Sequence, residues 1–155
     1  MASRPPNSAQ GIAWILFALS IGLHVTDEAL THFLSVYNPT VIAMRQKLGW
    51  WPMPVFDFQT WLGGLILFVI VLLLLSPFVF RGARWMRPIA YFLIVIMVGN
   101  AIAHIGFSIL GRTVDSVRFT RPAPGFYSSP FLLATSIYLL FQLRRTRTRP
   151  KKADL

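Results

Sequence analysis

Apolar positions along the chain come in four runs, separated by short breaks that are basic, polar or rich in proline. The runs cover about 11–33, 56–80, 88–110 and 130–143. The first three reach the roughly 20 residues that a membrane-spanning helix needs. The fourth is short unless Phe126 and Tyr127 before it belong to it. Between the first two runs the pattern changes. Asn38-Pro39 reads as an N-cap followed by proline at the first helical position. Residues 40–48 then mix Val41, Ile42, Met44 and Leu48 with Arg45, Gln46 and Lys47, Gly49 stops the segment, and Trp50-Trp51-Pro52 follows. This predicts a short amphipathic helix lying in the membrane interface, with tryptophans at headgroup level. The expected fold is all-α: a bundle of four transmembrane helices with a short interfacial helix between spans 1 and 2. Residues 1–10 read as a cytoplasmic tail and 144–155 as a basic cytoplasmic tail. In the second span Asp57, Gln59 and Thr60 sit at the start, Gly63-Gly64 suits close helix packing, and 65–75 should face lipid.

One run breaks its own apolar rule. His24, Asp27, Glu28, Thr31 and His32 interrupt the outer half of the first span, with Ser20 on the same side just before it. At 3.6 residues per turn they share one arc of about 140°. Ionisable groups at membrane depth are costly and should face the protein interior or a watery cavity. The third span carries a matching pair, Asn100 and His104, four residues apart and therefore on one face. With both spans running outward, His24 and Glu28 lie roughly 20 and 26 Å along the first, Asn100 and His104 roughly 18 and 24 Å along the third. The two pairs are expected at one depth. Asp57 and Gln59, at the outer end of span two, could line a mouth.

Composition supports the membrane reading. The chain has 155 residues, 55% apolar and 13% charged, with a mean hydropathy of +0.59; soluble domains carry nearer a quarter charged residues. The net charge of +10 is read as topogenic charge and headgroup contact, because the basic residues flank apolar runs, and no nucleic-acid partner is expected. With both termini inside, ten of the fifteen Lys and Arg fall on the cytoplasmic side and five outside, which favours that orientation. There is no cysteine, which excludes thiolate metal sites, disulfides and a cysteine nucleophile.

Two chemistries fit the polar set. His24, Glu28 and His104 are a two-histidine, one-carboxylate combination suited to a divalent metal ion as cofactor, with Asp27 or His32 as further ligands and Asn100 orienting one of them. Without metal, closely spaced carboxylates and imidazoles can serve as an acid–base set. The plainer alternative is that these groups satisfy one another and only hold helices together.

The motif His24-Val25-Thr26-Asp27-Glu28, with Asn100-x-x-x-His104 later and Pro124-Gly125 between the last two spans, resembles the bacterial HXXEE-motif membrane proteins, a functionally uncharacterised family. Asp27 stands where the motif has its first glutamate, with the charge kept and the reach shortened. The resemblance covers about 15–143 and implies a small multi-span fold, in a bacterial inner membrane, and no activity. Four spans with His24-x-x-x-Glu28 on the first also resemble the EXPERA membrane domain of sterol isomerases and related ligand binders. There a histidine and acids serve proton transfer or ammonium binding, which implies protonation and deprotonation of an apolar, isoprenoid-like molecule.

The function expected is therefore a membrane enzyme acting on a lipid-phase substrate by acid–base or metal-assisted chemistry, with His24, Asp27, Glu28, Asn100 and His104 as its site. A non-enzymatic binder or carrier of a lipid, amine or cation is the rival, and an accessory subunit the third. Membrane lipids are the expected partners, and a homo-oligomer stays open.

Overall fold

The computed structural model describes residues 7–145. The chain is mostly helical: α1 Ser8–Leu30, α2 Leu34–Leu48, α3 Phe58–Leu74, α4 Ser76–Phe80, α5 Met86–Leu110 and α6 Ser129–Arg145, with a two-stranded antiparallel hairpin, β1 Arg112–Val114 and β2 Val117–Arg118, between α5 and α6. Among the described residues, three stretches are long and apolar enough to cross a membrane: Ser8–Leu30, Phe58–Phe80 and Met86–Leu110. α6 has 17 residues. Most of the two expected tails, 1–6 and 146–155, lies outside the described residues.

α6 packs along both α1 and α5, and α1 packs in turn along α3 and α4. The core follows from the face α1 presents. Ala13, Trp14, Phe17 and Ala18 are fully buried, against Leu132 and Leu139 of α6 and Leu72 of α3 among others. The Trp14 indole N–H donates to the Leu72 carbonyl at 2.8 Å. That carbonyl belongs to the last turn of α3, where backbone acceptors have no partner within the helix. The Ser20 and Thr135 hydroxyls meet at 2.7 Å between α1 and α6. α3 is different: Ile66, Leu67, Ile70, Val71 and Leu74 are exposed, an apolar surface suited to lipid.

Several boundaries differ from the sequence pattern. α1 begins at Ser8, inside the expected tail, and stops at Leu30, where His32 adopts a left-handed φ of 57° and the Phe33 N–H reaches back five residues to the Glu28 carbonyl. α2 begins at Leu34, so Asn38 and Pro39 lie within the helix and Asn38 is not its N-cap. The Asn38 amide instead clamps the Phe56 backbone, donating to its carbonyl at 2.8 Å and accepting from its N–H at 3.1 Å. A tertiary link overrides the local capping signal. The second apolar run is broken between α3 and α4, just before Pro77, which has no N–H to continue the ladder. Gly63 and Gly64 face open space rather than a packed neighbour. The hairpin in the loop after α5 was not foreshadowed by any alternating run.

Candidate functional site: a buried histidine–glutamate–histidine cluster

Helix phase puts His24 and Glu28 on one face of α1, and helix phase puts Asn100 and His104 on one face of α5. The structure brings the two faces together. Glu28 Oε1 lies 3.2 Å from His104 Nε2 and 3.6 Å from His24 Nε2. The imidazoles meet edge to face with centroids 4.9 Å apart. His24, Glu28 and His104 are 2%, 4% and 7% exposed, so the charges any of them carries must be balanced within the cluster. The Asn100 side-chain oxygen is 3.2 Å from His24 Nε2. Phe33, just before α2, packs its ring 5.8 Å from that of His104.

The loop entering α6 closes the cluster. The Pro124 carbonyl is hydrogen-bonded to His104 Nδ1. Gly125 has φ +80°, and a Cβ there would stand 2.9 Å from the His104 ring and 3.0 Å from Glu28 Cγ, so only glycine fits. The Gly125 N–H donates to the Thr31 hydroxyl at 3.2 Å, and the Ala123 N–H to Ser108 at 2.8 Å. Ser128, at the start of α6, gives both its N–H and its hydroxyl to Asp27 Oδ2, each at 2.8 Å, and its oxygen lies 2.8 Å from His24 Nδ1. A carboxylate at a helix N-terminus is also favoured by the helix dipole.

An apolar cavity of about 370 Å³ adjoins the cluster, reached through His104 and Asn100 and walled by Phe33, Val36, Tyr37, Phe107 and Phe119 among others. That volume is in the range of small-molecule sites. The Tyr37 hydroxyl donates to the Pro54 carbonyl at 3.0 Å. Partial burial raises the pKa of this phenol above the usual tyrosine range, with Arg45 partly opposing.

Not every expected residue arrives. His32 is exposed in the turn between α1 and α2, and is not a ligand of the cluster. Asp27 Oδ2 is taken up by Ser128, and the ligand atoms that gather within 4.8 Å of one another come from His24, Glu28 and His104. Asp57 and Gln59 are exposed and line no mouth; Asp57 caps α3, accepting from the Thr60 N–H at 2.9 Å. Sequence reasoning placed Thr31 on the polar arc of the first span and missed Ser128, Ser108 and the Pro124 carbonyl. Ser128-Ser129-Pro130 is a helix-start signal that could have flagged the first. Among known proteins, the chain matches no family model, no curated protein and no solved structure.

Proposed function

We propose that the chain is a four-span integral membrane protein in which His24, Glu28 and His104 act on a lipid-phase molecule held in the adjoining cavity, by acid–base or metal-assisted chemistry. The observation that carries this is the juxtaposition of three buried ionisable side chains with an apolar cavity of about 370 Å³. Glu28 is the acid/base or ligand, His24 and His104 are ligands or proton partners, and Asn100 and Asp27 orient them. α6, at about 25 Å, nearly spans the hydrocarbon core and serves as the fourth span, its outer end extended by the loop 123–128, in which Ala123, Pro124, Gly125 and Ser128 are buried. α2 lies in the interface, with Trp50 and Trp51 beside it. Both termini are inside, favoured by the ten-to-five basic split, and the membrane is a bacterial inner membrane, as the HXXEE resemblance suggests.

The test compares membranes of cells making equal amounts of wild-type and Glu28→Gln protein, by mass spectrometry of extracted lipids. A species converted only by the wild type supports the enzyme. An apolar molecule that copurifies unchanged identifies a binder. Neither outcome, with both proteins folded, would reduce the cluster to helix glue and overturn the proposal.

A further inference from the structure

Hydrogen-bond chemistry decides which nitrogen of each imidazole carries the proton. A carbonyl can only accept, so His104 Nδ1, facing the Pro124 carbonyl, is the N–H. The Asp27 carboxylate also only accepts. It takes the Ser128 hydroxyl proton at 2.8 Å, so the Ser128 oxygen is left to accept from His24 Nδ1 at 2.8 Å. Both rings therefore carry hydrogen on Nδ1. Each Nε2 faces Glu28 Oε1, at 3.6 and 3.2 Å, and in the neutral form of each ring it presents a lone pair there. One donor atom from each of the three residues lies within 4.8 Å of the others. Lone pairs gathered this way in a buried place repel unless something positive lies among them. Bonds of about 2.0–2.1 Å around a tetrahedral ion place ligand atoms about 3.3 Å apart, close to the two separations seen.

We infer that His24 Nε2, His104 Nε2 and Glu28 Oε1 form a centre for a borderline divalent cation of the zinc class, and that Asp27 and Ser128 are positioning residues that hold the His24 ring as a ligand. Two imidazoles and a carboxylate, with no thiolate, suit zinc, cobalt or iron(II) rather than calcium or magnesium. Three protein ligands leave a position for an exogenous oxygen or nitrogen donor, and the cavity wall formed by His104 and Asn100 is where it would enter. Each ring is held on its far nitrogen by an acceptor, the arrangement that makes an imidazole a better ligand. The inference rests on the cluster being a working site and not on its substrate being a lipid. The metal-free alternative is definite too. It needs a proton between Glu28 and His104 and the Asn100 amide turned to give its N–H to His24 Nε2.

The deciding experiment uses the full-length protein in detergent, stripped with chelator and titrated with Co²⁺. The expected result is one equivalent bound, with visible d–d absorption of a low-coordinate nitrogen and oxygen site, displaced by Zn²⁺. Ser128→Ala is expected to weaken Co²⁺ binding about 10- to 100-fold, and Ser128→Thr to restore it. In ¹⁵N spectra of histidine-labelled wild type both rings should be Nδ1–H tautomers, and Ser128→Ala should release His24 alone. Wild-type protein that takes up no Co²⁺ would overturn the centre, and a Ser128→Ala protein that is folded and binds as wild type would overturn the positioning role. Cation binding without lipid turnover would sink the proposed function and leave the centre standing. No Co²⁺ uptake together with turnover by the stripped protein would do the reverse.

Discussion

Gly125 is the residue where backbone and site meet. Its φ of +80° is costly for any side chain, and its missing Cβ leaves room for His104 and Glu28. Gly125→Ala is expected to lose about 1–3 kcal/mol from backbone strain alone, and to push the two site residues apart. Thermal unfolding in detergent measures the first, and Co²⁺ affinity the second. Glu28 is tested by coupling. Removing one member of a buried charged set leaves the others uncompensated, at about 3–5 kcal/mol. Glu28→Gln should be non-additive with His24→Ala and with His104→Ala. Strict additivity with both would mean that the three do not share one energetic unit. Of this site, His24, Glu28, Asn100 and His104 could be read from the chain, because helical phase and depth each act on residue identity. The Pro124 carbonyl and Ser128 could not. A backbone acceptor has no residue signature, and a lone serine is too common to stand out. What selects them is the path of a loop, which periodicity does not encode.

At the scale of elements, α2 shows where local rules stop. Asn-Pro is a good helix start in isolation, yet α2 begins five residues earlier, at Leu34 rather than Pro39, and uses Asn38 as a bracket on the Phe56 backbone. Asn38→Ala should speed hydrogen exchange at the Phe56 amide while leaving α1 unchanged; equal exchange in both proteins would show the bracket to be idle. Asp57 behaves as its position suggests. The hydrogen bonds from Thr60 hold its carboxyl below the usual carboxylate range. Its folded pKa is therefore depressed, so the cap is fully present above the ordinary carboxylate pKa and is lost as pH falls through the lower, folded value. The first turn of α3 should fray in acid, and Asp57→Asn should remove that pH dependence from the exchange of the Thr60 N–H. The apolar runs themselves were readable, since lipid solvent demands long apolar helices. The hairpin was not, because Arg112–Val114 and Val117–Arg118 are too short to show alternation.

For the whole molecule, orientation is the property still to be measured. With both termini inside, a reporter fused within residues 113–122 should be active only in its extracytoplasmic form, and one fused at Leu155 only in its cytoplasmic form. A cytoplasmic signal from the first would also place the cluster in the wrong leaflet.

The position of α6 has a consequence for how the chain is made. Asp27 finds its hydrogen-bond donors on Ser128, Ser20 meets Thr135, and His104 is held by Pro124, all of which follow α5 in the chain. As synthesis proceeds from the N-terminus, α1 enters the membrane carrying a histidine and two acids whose partners have not yet been translated. A nascent chain at that stage is an unfinished, polar-faced intermediate that a membrane protease or insertase can recognise. A version ending at residue 125 should turn over several-fold faster than the full chain in a pulse-chase. Supplying 123–155 as a separate segment should slow that loss, because completion of the last helix is what retires the exposed charges of the first.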